Sequence, residues 1–139
     1  ATRACLERIP PADRRLVTDH DALAYFAERY GLEVVGAVVP SRSTQAQPSA
    51  GEVADLVRTI RDEGVRAVFP ESSVNEKLAE AIARQTGATV GDPLYADTLG
   101  PEGSPGATLL GAEAHNADAI VRGLTGGAER CDVEVAAAP

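Results

Sequence analysis

The chain has 139 residues, 44% of them hydrophobic and 24% charged, with a net charge of -8; this is one domain of ordinary size with enough apolar material for a packed core. The charge excludes a nucleic-acid surface, which needs a basic face against phosphates, and disfavours adhesion to anionic lipid. No stretch is apolar for long enough to span a bilayer, so no direct membrane insertion is expected, and no signal peptide is visible at Ala1.

Residues 1–9 are compatible with a short helix that must stop or turn at Pro10 and Pro11. Residues 16–18 give a minimal strand, followed by Asp19, His20 and Asp21. Leu23, Phe26, Ala27 and Tyr30 then fall on one helical face, and Gly31 is placed to close it. A second strand over 34–39 is nearly all apolar, the pattern expected when both faces are covered. Residues 41–48, SRSTQAQP, read as a polar loop expected to be mobile. Ser49 and Glu52 have capping-box spacing, and Val53, Leu56, Val57 and Ile60 make an amphipathic face that ends at Gly64.

The stretch VRAVFPESSVNEK, 65–77, is a short buried strand running into a carboxylate and then a helix. Pro70 closes the strand, and Ser73 with Glu76 suggests a capping box that starts the helix at about Val74. Its apolar face is Leu78, Ala79, Ile82 and Ala83, and Gly87 closes it. A fourth strand over 88–90 leads into a long Gly- and Pro-rich loop, 91–106, of a length that is usually functional or disordered. A final helix is expected from about Thr108 to Gly123.

Strands alternating with helices imply a parallel sheet with right-handed crossovers, so the fold class is α/β: a single three-layer lobe with about four parallel strands flanked by helices. Neither GxGxxG after the first strand nor GxxxxGK[ST] is present, which excludes dinucleotide and P-loop sites. Cys5 and Cys131 do not have zinc-motif spacing. A disulfide and two free thiols both stay open, the disulfide only in an oxidising compartment.

His20, Glu71 and Asp97 each follow a strand. In a parallel sheet such connections emerge at one carboxyl edge, where ligands bind. One imidazole and two carboxylates suit a borderline divalent ion such as Zn2+ or Mn2+. Each also has an ordinary reading, His20 as a capping or surface histidine and Asp97 as a turn residue before Gly100. His115, in the final helix, reads as a surface residue.

LVTDHDALAYFAERYGLEVVG (16–36), VFPESSVNEKLAEAIARQTG (68–87) and LYADTLG (94–100), with AEAHNADAIVRGL as the closing helix, resemble in order the C-terminal lobe of the periplasmic or lipoprotein substrate-binding proteins of zinc and manganese ABC transporters. The likeness covers roughly 14–124. It implies that His20, Glu71 and Asp97 are site residues, with His20 and Asp97 the firmer ligands and Glu71 a ligand or a residue behind them. It also implies capture of Zn2+ or Mn2+ as transported ligand, an ABC permease as partner, an extracytoplasmic location and no enzymatic activity. That family has two α/β lobes joined by a long helix, with the metal between them. This chain lacks the N-terminal lobe, so a half-site is expected. Residues 1–13 would be the end of the interlobe helix and a linker, 14–125 the metal-binding lobe and 126–139 a flexible tail. Asp19 and Asp21 are candidates to orient His20.

Two other classes compete. A metal-free interaction module would retain the fold without the ion. A metal-dependent hydrolase would use the same three residues with a bound water, but no residue is left as an obvious general base. No GxSxG elbow surrounds Ser72 or Ser73, which argues against a serine nucleophile.

Overall fold

In the computed structural model, which describes residues 1–39, 47–72 and 76–135, four strands form one parallel sheet. They are β1 (Arg15–Thr18), β2 (Glu33–Ala37), β3 (Ala67–Phe69) and β4 (Thr89–Val90), in the order β2-β1-β3-β4. Five helices surround them: α1 (Thr2–Leu6), α2 (Ala24–Tyr30), α3 (Ala50–Glu63), α4 (Lys77–Thr86) and α5 (Leu109–Leu124).

Side-chain alternation along the strands sorts the helices into layers. Successive strand residues point to opposite faces. Leu16, Ala67 and Phe69 enter one apolar cluster with Leu6 and Ile9, with Ala27 and Tyr30 of α2, and with Ile120 and Leu124 of α5. Val17 and Val68 enter the other, with Leu56, Val57 and Ile60 of α3 and Ile82 of α4. The result is the three-layer lobe expected from the sequence. Each fully buried aliphatic side chain contributes about 1.5–3 kcal/mol, so the two cores share the stabilisation between both faces.

The strand order also makes a switch point. The connection from β1 runs to β2 on one side and that from β3 to β4 on the other, which leaves a crevice at the carboxyl ends of β1 and β3. Thr18 pairs with Phe69 in the register between these strands. His20 and Glu71, each two residues further on, are therefore brought side by side.

Local signals account for most helix ends. The Ser49–Glu52 capping box is formed, with both reciprocal bonds present, and Gly64 closes α3 in the left-handed conformation. In α5, Thr108 caps the start by accepting from Gly111 N–H. The helix after β3 is α4, which starts at Lys77 with Glu76 as an N-cap that makes no side-chain bond; the expected start at Val74 and its cap Ser73 lie outside the described residues. Most of the polar 41–48 loop also lies outside them.

Strand β2 departs from expectation. Its residues are exposed or only half-buried, because it is the edge of the sheet and has a partner on one side alone. The apolar run does not end with the strand, since Val38 and Val39 are buried and their N–H groups donate to Thr18 and Asp19 carbonyls at 2.9 and 2.7 Å. That pairing pins the turn leading to His20.

Two close approaches surround the Phe69 ring, one from α5 and one from the residue after β4. A Cβ on Gly123 would come within 2.6 Å of the Phe69 ring, and one on Gly91 within 2.3 Å. Phe69, fully buried, fills the space these two glycines leave. At the other end of the chain Cys5 and Cys131 form a disulfide across 126 positions, with their Cα atoms 5.6 Å apart. Cys5, Leu6 and Ile9 are buried in the core, and Val133 packs against it.

Candidate metal centre

The three residues selected from the sequence meet at the crevice. His20 is held first by its backbone, whose carbonyl accepts from Thr18 Oγ1 at 3.0 Å and from Ala22 N–H at 2.9 Å. These bonds turn the chain sharply out of β1 and direct the imidazole inward. The ring is 4% exposed.

Its two nitrogens face different carboxylates. Nδ1 lies 2.7 Å from Glu71 Oε2 and 3.7 Å from Asp19 Oδ2, and both of those side chains are buried. Nε2 lies 2.8 Å from Oδ2 of Asp97, whose side chain is 52% exposed. The ring thus has a dry side and a wet side. Asp19, His20 and Glu71 place one ligand-type atom each within 4.8 Å of one another, in a small cavity of about 10 Å³ also lined by Leu23, Phe69 and Leu94. Asp19 Oδ2 makes no hydrogen bond there. Burial pushes the Asp19 carboxyl above its ordinary range, against the pull of the His20 ring. Of the two aspartates considered as partners for His20, Asp19 is beside the ring and Asp21 is exposed.

Asp97 depends on the loop that carries it. Leu94 N–H donates to the Pro70 carbonyl at 2.9 Å, and the Leu94 carbonyl accepts from Ser72 N–H at 2.9 Å. Residue 94 thus extends the sheet past β3, as a bridge to Glu71. Asp97 N–H reaches Glu71 Oε1 at 3.4 Å. On the opposite side stand two residues of α5. His115 is not open surface: Nε2 is 3.0 Å from the Pro93 carbonyl and its ring packs edge-on against Tyr95 at 5.0 Å. Asn116 is 4% exposed and bonds the Tyr95 backbone. The sequence reading passed over Asn116, although it lies four residues from both Ala112 and Ile120, on the buried face of the helix.

A buried imidazole nitrogen beside a half-exposed carboxylate can accept a divalent ion, and they leave positions for ligands from elsewhere. A broader apolar groove of about 230 Å³ adjoins them, lined by Phe26, Tyr95, Leu99 and Leu109 among others. Leu99 and Leu109 are exposed, as are Tyr25 and Leu110. Among the described residues no helix is long and apolar enough to cross a membrane.

Residues 1–123 match the family described as zinc-uptake complex component A, periplasmic. The chain is 37% identical over 128 residues to the manganese-binding lipoprotein MntA of Bacillus subtilis, covering 88% of this chain and 41% of that protein. It is 38% identical over 120 residues to the zinc-binding protein TroA of Treponema pallidum, covering 82% and 38%. The solved structure of periplasmic TroA superposes with a TM-score of 0.80 at 34% identity, over 88% of this chain and 46% of that one. A manganese-bound periplasmic metal-binding protein from Candidatus Liberibacter asiaticus gives 0.79 at 26% identity, over 88% and 45%. The chain therefore spans about two-fifths of the length of these curated relatives. They are described as metal-binding proteins and not as enzymes.

Proposed function

The chain belongs to the family of periplasmic zinc-uptake A components, and from that premise we propose that it is an extracytoplasmic solute-binding lobe that captures a divalent transition metal, Zn2+ or Mn2+, for an ABC importer. The observation that carries this reading is the pairing of His20 Nε2 with the half-exposed Asp97 at 2.8 Å, while Nδ1 is backed by buried Glu71 at 2.7 Å. His20 and Asp97 are the proposed ligands. Glu71 holds the ring from behind, because one imidazole cannot offer both nitrogens to the same ion. A carboxylate on the far nitrogen fixes the ring's orientation and raises its basicity as a ligand.

Without an ion, Nε2 and Asp97 Oδ2 stand at hydrogen-bond distance, and such a bond requires a proton between them. The cation takes that proton's place, so capture releases protons and weakens in acid. The Asp97 carboxylate offsets part of the ion's charge.

Two ligands do not complete a tetrahedral site, so this is a half-site. The remaining donors are assigned to an N-terminal lobe, in keeping with the two-fifths of the relatives' length that this chain spans. The exposed apolar residues beside Asp97, Leu99 and Leu109 among them, are the surface on which that lobe would rest. The Cys5–Cys131 disulfide favours an oxidising location outside the cytoplasm. A membrane permease is the proposed acceptor of the ion.

The test is calorimetric titration of the metal-free chain with Zn2+ and with Mn2+, beside His20→Ala and Asp97→Asn. One saturable site that disappears in both variants is expected. A folded, unmodified chain that binds neither ion would overturn autonomous capture and leave a lobe that works only with its other half.

A further inference from the structure

We propose that Asn116 is a positioning residue for metal capture, acting on Asp97 through the backbone of Tyr95; the proposal rests on the metal-binding reading above. Asn116 is the one polar residue of α5 that the described residues bury to 4%. Its Oδ1 accepts from Tyr95 N–H at 2.9 Å, and its Nδ2 donates to the Tyr95 carbonyl at 2.6 Å. A helix has no spare backbone groups along its side to pair with a neighbouring segment. A carboxamide carries a donor and an acceptor together and can stand in for the missing strand.

The loop is consequently gripped on both edges. Leu94 is paired through its N–H and carbonyl with 70–72 at the end of the sheet, and Tyr95, the next residue, is paired through its own two groups with Asn116. In an extended segment consecutive residues direct their backbone groups to opposite sides, so the two grips do not compete. Asp97 follows only two residues later. Its carboxylate reaches His20 Nε2 from a stem whose height over the sheet is set by Pro70 and Ser72, and whose lateral position is set by Asn116. Without the amide, one edge of the stem is released and Asp97 loses the fixed geometry that a ligand needs.

The test combines histidine ring-nitrogen NMR with zinc titration on Asn116→Ala and Asn116→Asp. The aspartate keeps the acceptor for Tyr95 N–H and loses the donor to its carbonyl, so it serves if the alanine variant folds poorly. Ile120→Val, a mild core change on the same helix, is the control for stability alone. The chain has two histidines, and His115→Gln assigns the spectrum. The expected result is a shifted His20 Nε2 signal in the metal-free Asn116 variants and a zinc affinity roughly tenfold lower or more, with neither change in Ile120→Val. An unmoved His20 signal with unchanged affinity in a folded Asn116 variant would overturn the proposal. Failure of the unmodified chain to bind zinc would instead overturn autonomous capture, and the ring-nitrogen signal would still decide whether Asn116 places Asp97.

Discussion

His20 Nε2 and Asp97 Oδ2 stand 2.8 Å apart although 77 positions separate them in the chain. The switch point between β1 and β3 and the bridged loop beyond β3 bring them together. Glu71 meets the same ring on its other nitrogen. This two-sided arrangement separates the roles of the carboxylates. Asp97→Asn should abolish zinc binding by the isolated chain. Glu71→Gln should retain one site and weaken it by about 10–100-fold, the usual effect of changing a partner behind a ligand. Competition against a chelating dye measures both, and the reverse ranking would exchange the two roles.

Gly123 lies in the last turn of α5 without a positive φ, where alanine normally stabilises by about 0.4–1 kcal/mol. Here the added methyl would meet the Phe69 ring at 2.6 Å. Gly123→Ala should therefore destabilise the lobe, by about 1–3 kcal/mol for an overpacked core. Urea denaturation decides the sign.

The sequence was legible where the signal is local. Ser49 and Glu52 define a helix start within four residues, and residues 16–18 already read as a minimal strand. The apolar 34–39 run misled about coverage, because hydrophobicity does not state which strand ends the sheet; order depends on connections that no single segment encodes. His20, Glu71 and Asp97 were singled out from their places after strands together with the family resemblance, and the structure brings them together at the crevice. Which ring nitrogen each carboxylate faces was not, since that follows from the Thr18–Phe69 register and the turn at His20. Asn116 was detectable as an amide on a helical face otherwise made of Ala and Ile. The pairing of Cys5 with Cys131 needed the structure, because two cysteines at opposite ends are equally compatible with free thiols.

Tyr30 joins three helices. Its hydroxyl donates to Glu113 of α5, and the guanidinium groups of Arg3 and Arg29 lie 5.8 and 5.7 Å from its ring centre. Burial, reinforced by the bond to Glu113, pushes its pKa above the ordinary tyrosine value. The folded protein thus holds this proton more tightly than the unfolded chain does. Its contribution is complete below the unfolded value of about 10 and is lost as pH rises through the folded value. Tyr30→Phe should cost about 1 kcal/mol near neutrality, for one hydrogen bond, and should flatten the alkaline fall in stability. Thermal melts from pH 7 to 11 compare the two chains.

Reduction of the Cys5–Cys131 disulfide should lower stability by about 2–5 kcal/mol, because the bond closes a loop across nearly the whole chain. The midpoint of urea unfolding with and without reductant measures it. Cys5→Ser should show the lower midpoint in both conditions.

The same bond fixes how force and motion enter the molecule. Any chain that precedes Cys5 and any that follows Cys131 leave the lobe at one covalently fused corner, where the Cα atoms are 5.6 Å apart. Tension applied between those flanking segments runs through sulfur and bypasses the sheet, so β1 and β3 bear none of it. The lobe can be swung on its tether as a rigid body, with the spacing between His20 and Asp97 undisturbed.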